Sequence, residues 1–145
     1  MKLYISNEKI IDSSFIPYII LQIQSYISQH INKDTLIKWD AYLEKNGEEL
    51  FNGVYKNLTA YEIISLGIDN IGAKKTSMGV EISVQNNKKP NQIFAKLYDV
   101  CMLINYGNLS IDGTFLFSNA FEYFGRNINE ILVKYIGSVD TVKQQ

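Results

Sequence analysis

From Ser13 to Asn32 the chain carries no Asp, Glu, Lys or Arg, yet it sets Ile16, Ile20, Ile23 and Ile27 at helical spacing. This stretch limits the possible folds more than any other. Gln22, Gln24, Ser25, Ser28, Gln29 and His30 fall too densely for a membrane span, which needs about 20 mostly apolar residues. Ser13 or Ser14 can cap the helix, with Pro17 in its first turn, where a missing N–H costs little. Tyr18, Ile19, Leu21 and Tyr26 widen the apolar face beyond one stripe. Such a helix is either sandwiched between two elements or covered by another subunit, so Ile16, Ile19, Ile20, Ile23, Tyr26 and Ile27 form a candidate interface.

The rest of the chain provides a core for that helix. With 145 residues, 46% of them apolar, the chain has material for a single globular domain over 1–145, with a frayed tail from 138 to 145. Fourteen basic residues face 15 acidic ones, and Arg126 is the one arginine, so neither a global field nor the bidentate fork favours a nucleic-acid reader. Cys101 is the single cysteine, which rules out an intrachain disulfide and suits a reducing compartment. Glu8, Lys9 and Asp12 interrupt the N-terminal segment, so no secretory signal is expected there.

The pattern predicts an α+β fold with N-terminal helices, a small antiparallel β-sheet or hairpin, and a long amphipathic C-terminal helix. Leu3-Tyr4-Ile5 reads as a strand. Asp34 offers the cap of a second helix, in which Leu36, Trp39, Leu43, Leu50 and Val54 form a stripe running through Asn46-Gly47 to about Tyr55. Thr59 and Glu62 have capping-box spacing for a short turn of helix, and Leu66 and Ile68 then begin a strand-like alternation. Val80 to Gln85 is the clearest strand, with exposed loops expected at Gly72 to Ser77 and Asn86 to Pro90. Ala95 to Tyr106 reads as helix or strand. Phe117, Phe121, Phe124, Ile128, Ile131 and Tyr135 mark one continuous helix face, opposite Glu122, Arg126, Glu130 and Lys134.

Residues for chemistry are sparse. His30 is the single histidine and falls at a helix C-terminus, where an imidazole caps carbonyls. Cys101 lies among Val100, Met102 and Leu103, the setting of a small apolar core residue. Glu48-Glu49 and Asp40 with Glu44 have the spacing of a solvated helix face, and no glycine run leads into a phosphate-binding lysine. The reading is of a protein without catalytic, cofactor or metal residues. Charge is segregated: Lys74, Lys75, Lys88, Lys89 and Lys96 stand against Glu81 alone, while Asp34 to Glu62 is acid-rich, which suggests contacts between copies.

The order of features in the last third resembles the head-to-tail connector, neck or tail-completion proteins of tailed bacteriophages. It is carried by Tyr98 to Ile104, the turn Tyr106-Gly107, then Thr114-Phe115 leading through Phe117 to Ala120. Thr59, Ser65 and Met78 to Gln85 fall where that family has a threonine, a serine and a strand. The family's Thr-Gly and Leu-Arg are replaced by Ala60 and Ile63-Ile64. The resemblance implies a virion structural protein, made in the bacterial host cytoplasm and acting without catalysis. Its implied partners are other copies of itself and portal or tail proteins, with no specific nucleic acid and no membrane. A small intracellular binding protein, such as an immunity protein or antitoxin acting through the acids of Asp34 to Glu49, is the alternative.

Overall fold

The computed structural model describes residues 2–50, 59–85 and 116–144, apart from the side chains of 46–50 and 140–144. Among these are strands β1 (Leu3–Ser6), β2 (Ile71–Lys75) and β3 (Gly79–Val84). The helices are α1 (Phe15–Gln29), α2 (Lys33–Leu50), α3 (Ala60–Asp69), α4 (Leu116–Arg126) and α5 (Ile128–Gln144), so the chain is α+β as its pattern predicts. The strands form one antiparallel sheet in the order β1-β3-β2, with Tyr4 opposite Glu81 and Lys74 opposite Glu81 on the other side.

The inner face of the sheet buries Leu3, Ile5, Ile71, Val80, Ile82 and Val84. Over it lies α1, which packs against α3, α4 and β2. Phe15, Ile19, Ile23 and Ile27 are completely buried along α1 at steps of four residues. Each such side chain contributes about 1.5–3 kcal/mol of transfer free energy. The broad apolar face of α1 is therefore covered by its own chain: Ile19, Ile23 and Ile27 are core residues unavailable to a neighbour, and only Ile16, Ile20 and Tyr26 of the expected interface are partly exposed.

Several local expectations need correction. Ser14 occupies the α1 N-cap without a side-chain cap bond, and its own N–H is accepted by Asp12 Oδ1 at 2.9 Å. The cap of α2 is Asn32, whose Oδ1 accepts from the N–H groups of Asp34 at 2.8 Å and Thr35 at 3.3 Å. The backbone of α2 continues through Asn46-Gly47 to Leu50, while Val54 and Tyr55 lie outside the described residues.

Thr59 caps α3 as its spacing predicts, accepting from the Glu62 N–H at 3.2 Å. Leu66 and Ile68, however, belong to this helix and not to a strand. Burial of Ala60, Ile63, Ile64, Gly67 and Ile68 follows a helical period that outweighs the short alternation. Asn70 ends α3 by donating from Nδ2 to the Leu66 carbonyl at 2.7 Å, and β2 starts at the next residue. The expected loop at Gly72 to Ser77 is thus mostly strand. Gly, Ala and Lys are poor strand formers, and β2 exists because β3 supplies its ladder.

Gly79 is required where β1 and β3 meet, since a Cβ there would collide with the Ile5 carbonyl oxygen. Thr76 and Gly79 close the hairpin, the Thr76 N–H donating to the Gly79 carbonyl at 2.8 Å. At the other end of the chain, Asn127 divides the expected single helix into α4 and α5. Its backbone N–H and its Nδ2 both donate to the Tyr123 carbonyl, at 3.0 and 2.8 Å, a side-chain competition that distorts a helix locally. The face survives the break: Phe117, Phe121, Phe124, Ile128, Ile131 and Tyr135 are all buried. The backbone is helical to Gln144.

Candidate functional site: an aromatic groove beside an uncharged helix face

The outward side of α1 exposes Pro17, Leu21, Gln22, Ser25, Ser28 and Gln29, so a solvent-facing helix surface of a charge-balanced protein carries no charge. Leu21 is 65% exposed. Beside this face runs a groove of about 190 Å³, lined on the α1 side by Tyr18, Gln22, Ser25 and Gln29 and on the far side by Tyr123, Ile131 and Lys134.

Aromatic packing fixes the groove's walls. Tyr26 is stacked between His30, at a centroid separation of 3.9 Å and 20°, and Tyr123, at 4.7 Å and 19°. Phe124 meets Tyr26 and Tyr123 edge-on. Near the start of α1, Tyr135 packs against Phe15 and Tyr18 with centroids at 5.2 and 4.9 Å. Its hydroxyl donates to Asp12 Oδ1 at 2.6 Å. That hydrogen bond, then burial, then the carboxylate's charge raise the Tyr135 pKa above its ordinary value.

His30 acts as expected of a C-terminal imidazole: Nδ1 donates to the Tyr26 carbonyl at 2.7 Å, which sets the Nδ1–H tautomer. Gln29 Nε2 donates to Ser25 Oγ at 3.1 Å and Ser28 Oγ to the Gln24 carbonyl at 2.9 Å, so the polar groups of the face are partly satisfied within the helix. Such a surface is inexpensive to desolvate. Burying a charge costs several kcal/mol in effective terms, and interface centres are accordingly poor in charge and rich in Tyr. Rigid tyrosines with adaptable Ser and amide groups make contacts at low entropic cost.

Of the residues carrying the phage resemblance, the two that are described do not line this groove. Phe117 and Ala120 are fully buried in the core on α4, and Tyr106, Gly107, Thr114 and Phe115 lie outside the described residues, as do Cys101 and Ala95 to Tyr106 as a whole. Asp40 is a structural carboxylate, since its Oδ1 accepts the Ala60 N–H at 2.7 Å and so anchors the start of α3 to α2. Within α2, Lys33, Lys38 and Lys45 offset Asp34, Asp40 and Glu44, which leaves no acidic face among the described side chains. Lys88, Lys89 and Lys96 lie outside the described residues, so Lys74 and Lys75 are what the structure places of the basic patch. A further groove, between β1 and α4, has its charges paired as Lys2 with Glu81 at 3.1 Å and Glu122 with Arg126 at 3.5 Å.

Among the described residues no group of three or more His, Cys, Asp or Glu is placed to hold a metal ion, and no helix is long and apolar enough to cross a membrane. The sequence reading missed Tyr18, Gln22, Ser25, Gln29 and Tyr123 as site residues. Tyr18, Gln22, Ser25 and Gln29 carried one signal in the sequence, the absence of charge along the outward side of α1; Tyr123 carried none. No family model, no curated protein and no solved structure matches this chain.

Proposed function

We propose that this chain is a non-enzymatic structural protein of a bacteriophage virion, acting by protein–protein packing at the neck or tail junction, in head-to-tail connection or tail completion. Its partners are other copies of itself and portal or tail proteins. The observation that supports docking is the charge-free, tyrosine-flanked outward face of α1, a surface whose burial carries little electrostatic penalty. The placement in a virion rests on the resemblance of the segment from Tyr98 to Phe121.

Light scattering over a concentration series at low and high salt tests docking through this face. The expected result is concentration-dependent assembly that high salt does not dissolve, and that Ser25→Glu abolishes while the circular dichroism spectrum stays unchanged. Assembly that salt disperses would shift the contact to Lys74 and Lys75. A chain that is monomeric at every concentration, alone and with portal protein, would overturn the proposal in favour of a one-to-one binding protein.

A further inference from the structure

A second surface points to a different kind of contact, independent of the α1 face. Backbone pairing alternates along an antiparallel ladder between bonded and non-bonded pairs. The Thr76 N–H bonds to the Gly79 carbonyl at 2.8 Å and the Gln85 N–H to the Asn70 carbonyl at 2.9 Å, which fixes the phase of the β2–β3 ladder. Counting from either end, Gly72 with Ser83 and Lys74 with Glu81 are bonded pairs. Ala73 and Lys75 therefore aim their N–H and C=O groups away from β3, at the free edge of the sheet. Among the described residues no strand pairs with that edge, and Ala73, Lys74 and Lys75 are all exposed.

The edge opens onto a groove of about 510 Å³. Ala73 and Lys75 form one wall, Ile16 and Pro17 at the start of α1 form the other, and Ile10 and Val80 lie beneath. The small Ala73 side chain leaves room where a bulkier strand residue would fill the space. Asp12, at the rim, is committed to the Tyr135 hydroxyl and the Ser14 N–H, whereas Lys75 has no ion pair among the described residues.

We infer that the free edge of β2 accepts an extended, acidic peptide segment from a different protein as an added strand. The outward groups of Ala73 and Lys75 bond its backbone, an aliphatic side chain enters the groove between Ala73 and Ile16, and acidic residues meet Lys74 and Lys75. Strand addition derives its affinity from main-chain bonds and its selectivity from the pocket beneath alternate side chains. A second copy of this chain pairing edge to edge is disfavoured, because it would bring Lys74 and Lys75 against the same lysines; edge lysines suppress self-pairing in this way.

The test is fluorescence anisotropy with the full chain and a short fluorescein-labelled peptide in which one valine is flanked on each side by two glutamates, so that with valine in the groove beside Ala73 acids face both Lys74 and Lys75. The expected result is saturable binding that is lost when alternate peptide amides are N-methylated, lost with Ala73→Pro, and weakened about tenfold by Lys75→Glu, but not by Lys33→Glu. Failure of the labelled peptide to bind, or equal binding by the N-methylated peptide or by the Lys75→Glu chain, would overturn the inference. The N-methylated peptide is used on the unaltered chain, so that arm does not depend on a variant folding. Light scattering of Lys75→Glu is expected to match the parent chain, so the two surfaces stand or fall separately.

Discussion

Helices α1 and α2 follow one another in the chain and solve the same problem in opposite ways. The outward side of α2 carries Lys33, Asp34, Lys38, Glu44 and Lys45, a surface that water solvates well and that a partner would have to strip at some cost. The outward side of α1 carries Leu21, Gln22, Ser25, Ser28 and Gln29, which gain less from water and give it up more readily. Inside, α1 is held by α3, α4 and β2, whereas among the described residues α2 packs chiefly on α3. The lesson is that an uncharged helix need not be buried all round. Its own chain covers one half, and the other half meets water without a charge.

The largest expected effect breaks the comparison at its core. Ile23→Ala, at a position with no exposure, costs about 2–5 kcal/mol in chemical denaturation, while Leu21→Ala on the same helix costs within about 0.5 kcal/mol. An equal loss at Leu21 would mean that the outward face is buried in the native protein. A smaller effect separates the helix starts: Asn32→Ala destabilises by about 1 kcal/mol because it removes the acceptor for two α2 N–H groups, and Ser14→Ala leaves stability nearly unchanged because the Ser14 side chain makes no cap bond to α1.

The smallest effect is visible only in alkali. The Tyr135 pKa is raised in the folded chain above its ordinary 10.0, so the neutral phenol is the form the fold favours. Its contribution is complete below pH 10 and is lost as the pH rises through the folded value. Tyr135→Phe should weaken the chain at neutral pH and flatten the decline of stability above pH 10, measured by thermal melting across that range.

Long periodic patterns were legible, and short ones only in part. The helix of α1, the aromatic run of α4 and α5, the Thr59 cap and the alternation of β3 all appear in the structure where the spacing puts them, although the buried stripe of α1 is Phe15, Ile19, Ile23 and Ile27 and leaves Ile16 and Ile20 half-buried. Leu66 and Ile68 misled because two apolar residues at a two-residue step fit a strand and a helix equally well until Ile63 and Ile64 are seen on the same buried face. The candidate groove was half legible: the missing charges are plain in the residues, but nothing local says that Tyr123, nearly a hundred positions away, stacks on Tyr26.

Amphipathic period, cap chemistry and the charge balance belong to the sequence alone, because each depends on residues within a few positions of one another. The assignment of Gly72 to Lys75 to a strand, the partition of α1 into a covered and an open half, and the edge at Ala73 and Lys75 that no described strand pairs with were decided only by tertiary structure. Each depends on which distant segment supplies the hydrogen bonds or excludes the water, and that partner is chosen by the packing of the whole core.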